Sequence, residues 1–302
     1  MRNKIVTVIG GTGFVGRYVV KLLAEQGYSI RVIARDPEAA SYLKTAGDVG
    51  QISLVSGNLA KPESLVGKLE NSWAVINLVG VLFESGKQNF SSLHAQGAEK
   101  LAQLAKQAGA ERFVQISAIG ADKIVKSKYA NTKLTGEKAV KAAFPEATII
   151  RPSIIFGVED QFFNLFAGMS RFSPILPLIG GGTSKFQPIY VVDVAKAILA
   201  VLQNKDSLGE IYEIGGAKIY SFKEILEFIC KTTGRKRCLL NISFTLAGVI
   251  GYFGELLPKP PLTRDQLAML EYDNVVSIGA KNLSDLGITP QAVEAIVPNS
   301  LR

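Results

Sequence analysis

Gly10-Gly11-Thr12-Gly13-Phe14-Val15-Gly16 decides how this chain is read. Before it stands Lys4-Ile5-Val6-Thr7-Val8-Ile9, a short apolar, β-branched run with the character of a buried strand. After it comes Tyr18-Val19-Val20-Lys21-Leu22-Leu23-Ala24-Glu25, apolar at the spacing of a helix packed on a sheet. A strand, a glycine-rich turn and a helix make a phosphate site. The glycines let a pyrophosphate approach the backbone, and the helix N-terminus offers unpaired N–H groups at the positive end of its dipole. The spacing from Gly10 is G-x-x-G-x-x-G rather than G-x-G-x-x-G. Glycine strings also mark ordinary turns, and the flanking strand and helix are what select the dinucleotide over the plain turn.

Outward from this unit the same rhythm repeats. Ser29 to Ala34, Gln51 to Val55, Trp73 to Val79, Arg112 to Ser117 and Ala147 to Arg151 read as further strands. Between them, Pro62 to Leu69 reads as a short helix with proline in its first turn. Ser91 or Ser92 is placed to cap a helix through Gln107, closed by Gly109, and a helix from Ser127 runs to about Ala143. Six such turns predict a parallel, doubly wound sheet of the Rossmann type. After Arg151 the rhythm breaks. Residues 152–186 are rich in Phe, Gly and Pro with no clean period. Pro188 to Val192 then reads as a strand, Val194 to Gln203 as a helix, and Ile211 to Gly215 as a last strand returning to the sheet. From Ser221 the chain reads as mostly helical. The expected division is a dinucleotide-binding domain at 1–151, rejoined by about 187–216, with 152–186 and 217–302 forming a smaller, mostly helical lobe.

The end of the second strand selects the cofactor. An acidic residue there would hold both ribose hydroxyls and favour NAD(H); here the strand ends in Ala34-Arg35, and an arginine suits a 2′-phosphate, so NADP(H) is expected over NAD(H). The competing assignment is a solvated arginine ahead of Asp36-Pro37. The net charge of +8, from 34 basic and 26 acidic residues, fits an anionic cofactor, an acidic partner or a membrane surface, and equally an ordinary basic protein. No arginine stripe interleaved with aromatics points to nucleic acid. Cys230 and Cys238 make no zinc or disulfide spacing, and the lone His94 rules out a histidine-ligated metal or a Ser-His-Asp triad, so no metal site is expected. His94 reads as an ordinary polar residue near a helix start.

Tyr129 and Lys133 lie four apart on an expected helix and project from one face. An ammonium beside a tyrosine favours the phenolate and should lower its pKa. Such a tyrosine can move a proton as hydride moves to or from a nicotinamide, and the lysine can hold the cofactor ribose. With Gly10 to Gly16, this pair makes the chain resemble the extended or atypical short-chain dehydrogenase/reductase superfamily. Ile149-Ile150-Arg151-Pro152-Ser153-Ile154-Ile155-Phe156-Gly157, then Glu159-Asp160, and Phe186 to Ala195 are similar to that superfamily's extended reductases and epimerases. Leu262-Thr263-Arg264-Asp265-Gln266, with Asp273-Asn274-Val275-Val276, more specifically resembles the nucleotide-binding accessory subunits of respiratory complex I and their bacterial relatives.

The resemblance implies that the Asn58-Leu59 turn approaches the adenine and that Leu78-Val79-Gly80 lies along the ribose-phosphate. It also implies that Ser117 lies near the nicotinamide and that Pro152 and Ile155 line its amide. Many relatives have Asp where this chain has Asn58. Active relatives place Ser or Thr just beyond the fifth strand to hold the substrate oxygen. Ser117, followed by Ala118 and Ile119, comes early for that work, and the third catalytic partner is left open.

Two functions follow. One is a nucleotide-holding accessory or assembly component of a complex I type NADH dehydrogenase, with partners among the subunits of a membrane-associated respiratory complex. The other is an NADP-dependent oxidoreductase or nucleotide-sugar-epimerase-like enzyme acting on a small-molecule substrate through Tyr129 and Lys133. No signal peptide precedes the first strand and no apolar run reaches the roughly 20 residues of a membrane span. The expected location is the cytoplasm, including its membrane face. Ser243 to Leu257 carries Phe244, Leu246, Val249, Ile250, Phe253, Leu256 and Leu257 at helical spacing. That stretch suits a bilayer surface or a partner, or an internal helix of the smaller lobe.

Overall fold

The computed structural model describes residues 4–84, 89–255, 257 and 262–301, without the Asn299 side chain; Leu256 lies outside them. In chain order the strands are β1 (Ile5–Ile9), β2 (Ser29–Ala34), β3 (Ile52–Ser56), β4 (Ser72–Asn77), β5 (Arg112–Ile116), β6 (Thr148–Pro152), β7 (Ile155–Phe156), β8 (Ile175–Ile179), β9 (Lys185–Phe186), β10 (Ile189–Tyr190), β11 (Ile211–Ile214), β12 (Tyr220–Ser221) and β13 (Cys238–Ile242). The helices are α1 (Phe14–Glu25), α2 (Gly97–Gln107), α3 (Lys128–Ala143), α4 (Phe162–Phe172), α5 (Val191–Gln203), α6 (Phe222–Thr232), α7 (Phe244–Gly254), α8 (Arg264–Leu270) and α9 (Val293–Ser300).

Seven strands form one sheet in the order β3-β2-β1-β4-β5-β6-β11, and every pairing in it is parallel. Alternation along each strand sends neighbours to opposite faces. Val6, Val8, Ile30, Val32, Ala74, Ile76 and Val114 pack on one side with α1 and α5. Ile9, Ile33, Val75, Phe113 and Ile149 pack on the other with α2 and α3. The sheet is doubly wound, and the strand order reverses between β1 and β4. A crevice opens at such a point beyond the strand ends, and the glycine loop after β1 and the Leu78–Gly80 turn after β4 flank it.

Several local expectations change. Pro62–Leu65 is a single 3-10 turn rather than a helix to Leu69. The helix expected from Ser91 or Ser92 opens with a π-helical turn, Ser91–Gln96, ahead of α2, and Asn89, not either serine, caps it by accepting the Ser92 N–H at 2.7 Å. The strand expected at Pro188–Val192 is only β10, paired with β7 outside the main sheet, and α5 begins at Val191. The stretch without a period, 152–186, holds α4 and three short strands. Beyond Ser221 the chain is less helical than expected: β13 pairs in parallel with β8, and a largely irregular stretch joins α8 to α9. Phe156, Phe163, Leu176, Phe186, Phe222, Leu226 and Val297 build a third apolar cluster outside the sheet.

α3 is fixed by contact as close as backbone allows. A Cβ on Gly136 would sit 1.8 Å from the His94 carbonyl oxygen, so the helix crosses the π-helical turn where only hydrogen fits. Gly168, inside α4, has nothing within 4 Å of the same position. Gly136→Ala should therefore lower stability by at least ~1–3 kcal/mol through overpacking, whereas Gly168→Ala should raise it by ~0.5–1 kcal/mol through helix entropy alone. Urea midpoints of both variants against the parent measure the contrast.

Candidate dinucleotide site

The glycine loop owes its shape to two close approaches. A Cβ on Gly16 would lie 2.2 Å from the Gly10 carbonyl oxygen, and one on Gly10 (φ +83°) would lie 3.1 Å from the Leu78–Val79 peptide. Side chains at these points would push α1 off the loop, or the loop off β4. Gly11 is similarly close to Val32 of β2, at 2.8 Å. Gly13 differs: it is exposed, with φ −76°, and only the Gly10 oxygen, at 3.3 Å, is near its Cβ position. No side chain caps α1. The Thr12-Gly13-Phe14-Val15 rim thus presents open space at a helix N-terminus, where a phosphate is favoured. Phe14 closes the far side against Gly157, at 3.1 Å from its Cβ position, and Tyr18 donates to Glu159 at 2.9 Å.

Arg35 follows β2 and is exposed. Asn58 spends its side chain locally, Oδ1 accepting from the Ala60 N–H at 3.0 Å, and Leu59 is buried, leaving chiefly backbone of this turn for a base. Val79 is bent over Asn77, whose Oδ1 accepts its N–H at 3.1 Å. Gly80 follows, and the Lys133 Nζ lies 3.1 Å from its Cβ position while donating to the Ile116 carbonyl at 3.3 Å. Lys133 therefore bridges the turn after β4 to the end of β5. Ser117 comes next, 3% exposed, its Oγ without a hydrogen-bond partner. Pro152 ends β6, its carbonyl accepting from the Ile119 N–H at 3.0 Å, and Ile155 opens β7.

Tyr129 and Lys133 share the buried face of α3, with the ammonium 5.8 Å from the centre of the tyrosine ring. The lowered tyrosine pKa expected from that neighbour does not occur. Burial first, and then the Asp265 carboxylate, push Tyr129 up to about 12. Burial pushes Lys133 down to about 8 against the opposing charge of Glu137. Desolvation outweighs the pairwise attraction when both groups leave water. At neutral pH Tyr129 is a neutral phenol, equipped to donate a proton.

His94, expected as an ordinary polar residue near a helix start, lies in the opening helical turn but is buried. It is 2% exposed, stacked on Phe90 and edge-on to Tyr129 at 5.4 Å. Nε2 accepts from the Val81 N–H at 3.2 Å, which places the ring proton on Nδ1, 3.3 Å from Thr132 Oγ1. Burial, then the charge on Lys133, press its pKa far down, so it is a neutral wall of the site. No spacing in the sequence marks it, because the π-helical turn sets its direction.

The two motifs read only by resemblance prove to be clamps. Asp265 accepts from Ser127 Oγ at 3.0 Å, the Lys128 N–H at 2.6 Å and the Tyr129 N–H at 3.2 Å, a carboxylate on the N-terminus of α3 where the helix dipole favours it. Asn274 Oδ1 accepts from Ser153 Oγ at 2.7 Å and the Ile154 N–H at 3.1 Å, while Nδ2 donates to the Ile119 carbonyl at 3.3 Å. Together they hold the loops after β5 and β6. No group of three or more His, Cys, Asp or Glu able to hold a metal ion is found among the described residues.

Residues 6–215 match a family model described as the NAD dependent epimerase/dehydratase family. The NADH dehydrogenase (ubiquinone) 1 alpha subcomplex subunit 9, mitochondrial, of Arabidopsis thaliana is 35% identical over 96% of this chain and 75% of its own length. A ceramide reductase of Caulobacter vibrioides is 30% identical over 79% of this chain and 73% of its own length. The dTDP-glucose 4,6-dehydratase DesIV of Streptomyces venezuelae, solved with NAD and TYD bound, superposes with a TM-score of 0.76 over 99% of this chain and 96% of that one. At 19% identity it shares the fold.

The open position at Gly13 gives a direct test of the loop. Gly13→Val should fold with an unchanged circular dichroism spectrum and a slightly lowered melting temperature, because its backbone is unstrained and its one close neighbour is the Gly10 oxygen at 3.3 Å. Its dinucleotide affinity should fall beyond calorimetric detection, because the side chain occupies the phosphate's space. Unaltered affinity in the folded variant would remove the loop from the site.

Proposed function

We propose a function that proceeds from a membership: the chain belongs to the NAD dependent epimerase/dehydratase family. Within that family the best-supported role is to hold NADP(H) as an accessory or assembly component of a complex I type NADH dehydrogenase. The observation that carries the nucleotide is the cradle itself. Gly13 leaves open space at the N-terminus of α1, and the Lys133 ammonium stands 3.1 Å from the Gly80 Cβ position across the same crevice. The loop 10–16 would take the pyrophosphate, Arg35 the 2′-phosphate, the Asn58-Leu59 turn the adenine, and Leu78 to Gly80 with Lys133 the ribose on the nicotinamide side. Ser117, Pro152 and Ile155 would line the nicotinamide. When bound, such a cofactor supplies a transferable hydride.

The assembly role is supported by the likeness to the Arabidopsis complex I subunit over 96% of this chain. The reductase alternative has one specific observation in its favour. Tyr129 and Lys133 share one buried face of α3 at the crevice, in line with the 30% identity to the Caulobacter ceramide reductase.

Two variants test these points. Arg35→Ala should weaken NADPH by roughly 10- to 150-fold, the worth of a charge-assisted hydrogen bond of ~1.5–3 kcal/mol, and leave NADH within about twofold, since only NADPH carries the 2′-phosphate; calorimetric titration of both cofactors decides. Equal losses for both would take Arg35 out of the phosphate site. Tyr129→Phe keeps the ring and its packing. It should keep NADPH affinity within about tenfold (~1.4 kcal/mol) and still restore assembly of the respiratory complex in a deletion strain that Gly13→Val fails to restore. Failure of complementation with intact NADPH affinity would instead point to turnover, because loss of acid–base help costs ~100- to 10,000-fold in rate.

A further inference from the structure

α7 packs with its small residues inward and its large apolar ones outward. Ala247 and Gly251, one turn apart, are its buried residues. A Cβ on Gly251 would stand 3.4 Å from both the Arg264 nitrogen and Leu267 of α8, so the inner face is in van der Waals contact with α8. Leu246, Val249, Ile250 and Phe253 lie at i, i+3, i+4 and i+7 on the outer side, all about half exposed or more, with Phe253 at 63%. Tyr252 and Leu257 are exposed beside them. The internal helix that the sequence allowed is therefore not what forms. A helix apolar on all sides belongs in a core or under cover, and among the described residues α7 is covered by α8 along Ala247 and Gly251 and at Phe244 by the third cluster.

The apolar surface extends along the chain into α7. β8 and β13 make a two-stranded parallel ribbon in which Ile175 pairs with Cys238 and Pro177 with Leu240. Paired residues in such a ribbon share a face, and Ile175, Cys238 and Leu240 are exposed. At the start of the ribbon stands Phe172, 86% exposed. Ser243 alone separates β13 from α7, and it caps the helix through the Leu246 N–H.

Within the stretches that build these elements the fixed charge is positive, and the carboxylate that follows α7, Glu255, is taken up by Arg264 at 2.9 Å. No Asp or Glu occurs from Gln161 to Val192, where Arg171 and Lys185 stand, nor from Phe228 to Gly254, where Lys231, Arg235, Lys236 and Arg237 stand. Arg171, Lys231 and Lys236 are exposed, and Arg171 lies 5.8 Å from the Phe172 ring centre. A stretch that combines exposed apolar residues with exposed basic ones is complementary to anionic lipid headgroups over acyl chains. It is not complementary to a second copy of itself, since an isologous contact would set these charges against their equals. α7 is 11 residues long, about 16 Å at the helical rise, and no described helix is long and apolar enough to cross a membrane, so the fitting geometry is a helix lying in the interface.

We infer that the outer face of α7, with Phe172 and the β8–β13 ribbon, docks this protein on an anionic bilayer surface. The inference is independent of the nucleotide. The experiment is flotation of the full chain with vesicles of phosphatidylcholine alone or mixed with phosphatidylglycerol, at low and high salt, beside sedimentation of the free protein. The protein should float with the mixed vesicles and not with phosphatidylcholine, and salt should release it. Phe253→Ser and Val249→Asn should each lower partitioning about tenfold, and Lys236→Ala about fivefold. Unchanged melting temperature and NADPH affinity in these surface variants keep a folding defect from imitating the result. Three outcomes overturn the proposal: no flotation with mixed vesicles, flotation indifferent to the α7 variants, or a dimer in solution that Phe253→Ser dissociates. A protein that floats as expected but fails to bind NADPH would sink the nucleotide assignment and leave the docking surface intact.

Discussion

One buried guanidinium holds the sheet, the site helix and the C-terminal segment in register. Arg151, at the second-to-last position of β6, forks onto Glu137 of α3 at 2.9 and 2.7 Å, reaches Asp122 at 2.6 Å and lies 3.5 Å from Glu213 of β11. Burial works against its charge, and Glu137 and then Asp122 hold the pKa above the usual arginine range. Glu213 in turn accepts the Ser277 N–H at 2.8 Å. Removing one partner from such a pair leaves an uncompensated charge in low dielectric and costs ~3–5 kcal/mol. The planar fork fixes the angle of α3 against the strand as well as its distance, which a lysine would not do.

Everything chemically distinctive is then arranged along one stripe of that helix. Tyr129, Lys133 and Glu137 recur every fourth residue, so the ion pair that locks Glu137 also sets where the ammonium and the phenol stand. Gly136 removes any slack against the π-helical turn, and that turn brings His94 and Phe90 against Tyr129. The site is stiff because its members are restrained by different means: a carboxylate at the N-terminus of the helix, an ion pair at its middle, and a bare glycine beside that pair.

The sheet was legible in the sequence because its signals are local. β-branched runs ending in Gly or Pro mark strands wherever they occur, and Gly10 to Gly16 carries its meaning in its own spacing. The Tyr129–Lys133 pair was legible for the same reason. What escaped depends on distant partners. β8 has no pattern of its own until Cys238 to Ile242 arrives beside it, 63 positions on by the Ile175–Cys238 register. His94 and Asp265 gain their places from elements they do not belong to. The tyrosine pKa was misjudged because proximity of charge can be read from spacing, whereas burial cannot. Arg151 carries a local signal of its own, a charged residue inside an apolar strand run.

The sheet takes its last strand at Ile214, yet the N-terminus of α3 waits for Asp265, a hydrogen bond from Ser127 across 138 positions of chain. The loop after β6 waits likewise for Asn274, 121 positions from Ser153. Contacts of such separation carry a large loop-closure entropy and form late. A chain emerging from the ribosome completes its seven-stranded sheet first, with the crevice still unlatched, and the latch arrives only with residues 265–274. A chain interrupted after the sheet has the loop and the tyrosine but not the clasp that seats them.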